Sequence, residues 1–147
     1  MNIQEQLNAD LKTAMKAKDK VSLTVIRALK SQLTNQKVEL GRDLTEEEMG
    51  AVVLKELKQQ KESLEEFENA NRDELAEEQR AQIEVTERYA PKQLSEEEIS
   101  AIVKETITQV NATSMGDFGK VMGAIMPKVK GKADGNLVNK VVKRELQ

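Results

Sequence analysis

The stretch LTEEEM, Leu44 to Met49, returns almost letter for letter as LSEEEI, Leu94 to Ile99. In the first copy the Thr45 side chain can accept from the backbone of Glu48, and Glu48 can reach back to Thr45. Leu44 can also pack on Met49, so a capping box and a hydrophobic staple coincide. The second copy offers the same chemistry at Ser95, Glu98, Leu94 and Ile99. Each marks the start of a helix, and together they decide the fold class. The likeness fades within about a turn, and cap chemistry alone converges on these letters, so the repeat is not read as a duplication.

Working outward from Thr45, Val52, Val53, Leu57, Leu64 and Phe67 mark a helix of about 25 residues, roughly 37 Å long. Lys58 with Glu62 and Lys61 with Glu65 stand at helical spacing on its outer face. Upstream, Ile3, Leu7, Leu11 and Met15 recur every four residues, and Val21, Val25, Ile26, Leu29 and Leu33 continue the stripe after Lys18-Asp19-Lys20. These predict helices near 2–17 and 20–40, with Gly41 as a left-handed cap. Downstream, Asn69-Ala70-Asn71 is an exit, and a fourth helix over about 73–89 stops before Pro91, which disfavours helical geometry in the residue before it.

Beyond Ser95, Ile99, Ile102, Val103, Ile107 and Val110 predict a fifth helix. Asn111-Ala112-Thr113 is a turn, and Ser114 with Asp117 opens a sixth helix in which Met115, Phe118, Met122, Ile125 and Val129 form a buried spine. Gly131-Lys132-Ala133 breaks the chain, and Asp134 caps a seventh helix that turns Leu137, Val138, Val141, Val142 and Leu146 inward. No alternating period-two run appears. The expectation is an all-α protein: an N-terminal four-helix domain over 1–92 and a small three-helix C-terminal tail domain over 93–147.

Composition removes much chemistry. The 147 residues contain no cysteine and no histidine, which excludes thiol nucleophiles, disulfides, zinc-finger ligand sets and histidine-based triads. Phe67, Tyr89 and Phe118 are the only aromatics, too few for a base-stacking platform. The amino-terminal MNIQEQLNADLK has no basic segment followed by an apolar run, and no stretch of about 18 apolar residues occurs, so a soluble cytoplasmic protein with no membrane role is expected. Charge is uneven: residues 1–92 hold 15 Lys+Arg against 19 Asp+Glu, whereas residues 119–147 hold 7 against 2. An acidic body followed by a basic end can orient a protein on a polyanion.

The basic end centres on GKVMGAIMPKVKGKADGN, Gly119 to Asn136. It is not a phosphate loop, because Met126 and Ala133 occupy the glycine and Ser/Thr positions that Gly131-Lys132 would require. Nor do Gly116 and Gly119 complete a dinucleotide fingerprint. Gly116, Gly119 and Gly123 step by three and four and so define a close-approach face. Each interior glycine costs about 0.8–1.0 kcal/mol relative to alanine, so something is expected to use the smooth surface. Spacing favours a neighbouring helix of the same domain over a sugar-phosphate backbone. The backbone reading would recruit Lys120, Lys128, Lys130, Lys132, Lys140 and Lys143 as RNA-binding candidates, although lysines at 128–132 also suit a helix C-terminus. Pro127 crowds the carbonyl of Gly123, leaving two outcomes: a helix that stops near Met126, or one that kinks and runs on to Lys130.

Glu46-Glu47-Glu48 and Glu96-Glu97-Glu98 point in different directions around a helix, so they read as cap and dipole groups, and no metal site or cofactor is expected. Arg27 and Lys30, beside Ile26 and Leu29 on an otherwise apolar helix, are secondary binding candidates, with snorkelling edge residues as the plainer account.

Several blocks taken in order, SLEEF (63–67), ANRDEL (70–75), YAPKQLS (89–95) and GKVMGAIMPKVKGKADG (119–135), resemble the YqeY family of small bacterial proteins. The match covers essentially the whole chain, and the last block is the most specific. That family resembles the helical and tail domains of GatB, a subunit of the tRNA-dependent amidotransferase. The resemblance implies a four-helix domain joined to a three-helix tail, and a tail associated with tRNA recognition, a related module of which is appended to some glutaminyl-tRNA synthetases. The catalytic portion of the larger enzyme has no counterpart here: the chain lacks a Ser-cis-Ser-Lys amidase segment, a cysteine nucleophile and an ATP loop. The resemblance therefore implies a non-catalytic tRNA-binding or tRNA-enzyme accessory protein, with tRNA and a synthetase or amidotransferase component as partners. A protein-interaction module without RNA, and a component of a carbon-nitrogen ligase with glutamine as amido donor, are the alternatives.

Overall fold

The computed structural model describes residues 2–147. Among them the chain forms seven α-helices and one short 3-10 turn, and no strand: α1 (Ile3–Ala17), α2 (Lys20–Leu40), α3 (Glu46–Asn69), α4 (Asp73–Glu87), α5 (Glu96–Val110), the turn Met115–Asp117, α6 (Phe118–Val129) and α7 (Gly135–Leu146). The protein is all-helical, as its periodicity predicts.

Local chemistry sets the ends. Asn2 caps α1 by accepting from the Glu5 amide, and Lys18 closes it in the left-handed region, its amide reaching Ala14 and Met15. Asp19 then caps α2, accepting from the Ser22 amide at 3.1 Å and the Ser22 hydroxyl at 2.7 Å. Gly41 ends α2 at φ 70°, a conformation that favours glycine. Both capping boxes form: Thr45 with Glu48 opens α3, and Ser95 with Glu98 opens α5. The i,i+4 ion pairs expected on α3 do not; Lys61 instead approaches Glu87 on α4 at 4.0 Å. At the surface the difference is worth little.

The chain divides into two compact units, Met1–Ala90 and Pro91–Gln147. In the first unit α2 touches α1, α3 and α4, so its Val25, Ile26, Leu29 and Leu33 form the middle of a core that also takes Leu7, Met49, Val53 and Tyr89. Each such aliphatic side chain withdrawn from water contributes about 1.5–3 kcal/mol. Met15 faces outward, and Ala14 fills its expected place against the core.

In the second unit α5, α6 and α7 each touch the other two around Ile99, Val103, Val121, Ile125, Val129, Val138, Val141 and Val142, all fully or almost fully buried. The spine of α6 differs from the expected one. Met115 lies in the 3-10 turn and is exposed, Phe118 and Met122 are half-buried, and Val121 joins Ile125 and Val129 in the core. The cause is the turn: Ser114 caps only Gly116, while Asp117 folds back to accept from the Thr113 amide, so the α-helix proper begins at Phe118.

Candidate functional site

The basic block of the second unit is built on α6, the α6–α7 turn and α7. Helix α6 runs through Pro127 to Val129, which settles the open question at the proline. Pro127 cannot donate to the Gly123 carbonyl, and both residues are exposed.

The glycines stand elsewhere than a packing role demands. Gly116 lies in the 3-10 turn, and only Gly119 and Gly123 belong to α6. A Cβ added at Gly119 or Gly123 would meet nothing within 4 Å, and one at Gly116 only the Ser114 hydroxyl at 3.5 Å. No helix of the unit packs on this face, which corrects the expectation of close intramolecular approach. The physical reason is angular: Gly119, Gly123 and Pro127 recur every four residues on the side of α6 opposite Val121, Ile125 and Val129. With the aliphatic line in the core, the glycine line must face solvent.

The lysines divide into two groups. Lys128 is engaged: its Nζ donates to Gln109 Oε1 at 2.7 Å and to Thr106 Oγ1 at 3.1 Å, so it ties α6 to α5. Thr106 is fully buried and its own hydroxyl donates to the Ile102 carbonyl. Lys143 places its ammonium 5.7 Å from the Phe118 ring centroid, a cation-π distance. Neighbouring Arg144 pairs with Glu96 at 2.6 Å and with Glu145 at 3.7 Å. By contrast Lys120, Lys130, Lys132 and Lys140 are exposed, and no side-chain hydrogen bond or ion pair occupies them among the described residues. Lys120 lies beside Asp117, whose carboxyl is held below the usual range chiefly by the Thr113 amide, with Lys120 adding to it.

The turn carrying Lys130 and Lys132 is pinned. Gly131 adopts φ 75°, the Lys132 amide donates to Val129 at 2.8 Å, and the Lys132 carbonyl accepts from Leu94 at 2.7 Å. Gln93 Nε2 bridges the Gly131 and Pro91 carbonyls at 3.2 Å each. Sequence reading missed both Gln93 and the Thr106–Lys128 contact; only the placement of Gln93 after Pro91 hints at the first.

Arg27 and Lys30 belong to the other unit. With Leu11, Ser31, Thr34 and Asn35 they line a groove of about 340 Å³ between α1 and α2. No group of three acidic ligands suited to a metal occurs among the described residues.

Two helical units with separate cores, one of them carrying a bare glycine-proline ridge beside free lysines, define a small helical protein that presents an uncovered basic surface. Residues 4–146 match the model of the Yqey-like protein family, and the chain belongs to that family. It is 33% identical over 140 residues to altered inheritance of mitochondria protein 41 of Pyrenophora tritici-repentis, covering 93% of this chain and 77% of that protein. Against the Lachancea thermotolerans protein of the same name, identity is 36% over 111 residues, covering 74% of this chain and 59% of that protein. The E subunit of the glutamyl-tRNA(Gln) amidotransferase of Thermococcus gammatolerans shares 43% identity over 58 residues, which is 37% of this chain and 9% of that protein. The fungal relatives are named as mitochondrial proteins, so family membership does not assign the expected bacterial cytoplasm. No helix among the described residues is long and apolar enough to cross a membrane.

Proposed function

We propose that the chain is a non-catalytic tRNA-binding accessory protein and that its second unit supplies the RNA contact. The observation that carries the reading is that Lys120, Lys130, Lys132 and Lys140 are exposed without an ion pair, in the same unit as a helix face whose glycines meet no neighbour. Glycines open to solvent admit a phosphodiester backbone to the main chain of α6, and exposed lysines of the same unit supply countercharge. The amidotransferase subunit shares a stretch of 58 residues with this chain, which supports a tRNA-related role. That stretch is a small part of the larger protein, so ligase chemistry is not carried over with it.

The test is binding of unfractionated tRNA across a salt series. Contacts to four phosphates would contribute about 3 to the slope of log K against log salt. Replacing Lys120, Lys130, Lys132 and Lys140 with alanine should remove most of that slope; an unchanged slope and affinity would refute the reading. Met115 and Met126 are 40% and 38% exposed on the same helix-turn segment, and they support a second reading, a protein-docking face. A partner that co-purifies in high salt without RNA would favour it.

A further inference from the structure

The groove between α1 and α2 is the strongest unassigned feature of the first unit. Its six lining residues, Leu11, Arg27, Lys30, Ser31, Thr34 and Asn35, include two cations, two hydroxyls and one amide, and no carboxylate. This is unusual for its surroundings, because residues 1–92 carry 19 acidic side chains against 15 basic. Some cations of the unit find carboxylates, as Lys37 does with Asp43, Arg42 with Glu48 and Arg80 with Glu68, but none of these carboxylates lines the groove. Arg27 and Lys30 have no ion pair or hydrogen bond among the described residues. Helix α2 itself holds Lys20, Arg27, Lys30 and Lys37 against a single acid, Glu39 near its end.

Helical spacing explains how the lining converges. Arg27, Ser31 and Thr34 fall at i, i+4 and i+7, one exposed line along α2, with Lys30 on the flank toward Leu11 of α1. Glu56, which accepts from Gln32 of α2 at 2.7 Å, lies on the opposite flank. It therefore does not neutralise the groove. A guanidinium fork with an ammonium and two hydroxyls beside it is a donor set for a tetrahedral oxyanion, and the length of the line suits successive phosphates better than a single small anion.

We infer that this groove is a second phosphate-binding surface, which takes an RNA backbone through Arg27 and Lys30 with Ser31 and Thr34 as hydroxyl donors. The inference rests on the RNA-binding reading above, but it concerns different residues in a different unit.

The experiment measures tRNA affinity of the full chain at several salt concentrations for wild type, Arg27→Ala/Lys30→Ala, Arg27→Lys, Lys58→Ala and the quadruple tail variant. Lys58 is an exposed lysine of the same unit outside the groove, and its replacement shows what the loss of one surface charge costs by itself. Losing two phosphate contacts should lower the salt slope by about 1.5–2 and the affinity about tenfold near 0.1 M salt. Arg27→Lys should retain most of the slope, and Lys58→Ala should stay within about twofold of wild type. Thermal melting of the double variant should stay close to wild type, since Arg27 is exposed, Lys30 is only half-buried and neither has a side-chain hydrogen bond or ion pair among the described residues. If the double variant binds within about twofold of wild type, or Lys58→Ala costs as much, the groove proposal is overturned while the tail reading stands. If the groove variant loses affinity and the tail variant does not, the tail reading falls and the groove stands. A wild-type chain that binds no tRNA overturns both.

Discussion

The Tyr89 hydroxyl donates to Asp10 Oδ2 at 2.5 Å, joining the exit of α4 to α1 across 79 positions of sequence. Tyr89 is only 6% exposed, and a buried phenol is tolerable in an aliphatic core because its polar end has this partner. Burial first, and then the Asp10 carboxylate, push the Tyr89 pKa well above the usual phenol range. A pKa raised on folding contributes stability that is present below the unfolded value and is lost as pH rises through the folded one. Tyr89 is the only tyrosine and there is no tryptophan, so phenolate absorbance reports this one group. Its titration should lag that of free tyrosine and coincide with loss of helical circular dichroism in strong alkali. Asp10→Asn should bring the midpoint down, and Tyr89→Phe should cost about 1 kcal/mol in chemical denaturation, the scale of one hydrogen bond.

Gly119 and Gly123 have room for a methyl group and sit within α6. Alanine at Gly123, in the helix interior, should therefore stabilise the protein by about 0.8–1.0 kcal/mol through helix propensity, and alanine at Gly119, in the first turn, by less. The same substitutions should weaken tRNA binding, because Cβ atoms would stand between the ridge and a phosphodiester backbone. A variant that melts higher and binds less well separates a contact surface from a structural one. Higher melting with unchanged binding would mean the ridge contacts no RNA.

Lys128 should behave unlike the other lysines. Its ammonium satisfies Thr106 and Gln109 on α5, so Lys128→Ala should cost about 1 kcal/mol of stability by leaving a buried hydroxyl short of a donor. Measured beside Lys130→Ala, it should lower the denaturation midpoint more and tRNA affinity less.

The Glu48 carboxyl is held down at about 2, chiefly by the forked bonds from Arg42 at 2.7 and 2.8 Å and then by the Thr45 amide. A pKa lowered on folding contributes stability present above the unfolded value and lost as pH falls through the folded one. Arg42→Ala should raise the Glu48 pKa toward the ordinary glutamate range, as read from carboxyl carbon chemical shifts, so the cap fails at higher pH than in wild type. In the other unit Ser95→Ala should cost about 1 kcal/mol, the usual value of an N-cap hydroxyl.

Helix existence and most helix ends were legible in the residues because they follow from contacts within a turn or two. Thr45 with Glu48, Ser95 with Glu98, Gly41 and Asp134 each act on neighbours three or four positions away, and those neighbours are visible in the letters. The spine of α6 was misread for the opposite reason. Met115, Phe118 and Met122 carry the right spacing, but whether a residue faces the core depends on where the 3-10 turn hands over to the α-helix, and the Asp117–Thr113 bond decides that.

The candidate site divides along the same line. That residues 119–147 are basic and glycine-stepped is a property of composition, and the sequence determined it alone. The tertiary structure decided how the lysines are engaged: Thr106 and Gln109 take Lys128 and the Phe118 ring takes Lys143, whereas no side-chain hydrogen bond or ion pair among the described residues holds Lys120, Lys130, Lys132 or Lys140. It also decided that the glycine line faces solvent, because burying Val121, Ile125 and Val129 on one side of a helix turns the opposite side outward. Local hydrogen bonds are written at short range and survive reading letter by letter, whereas the occupancy of a side chain depends on partners that only folding brings near.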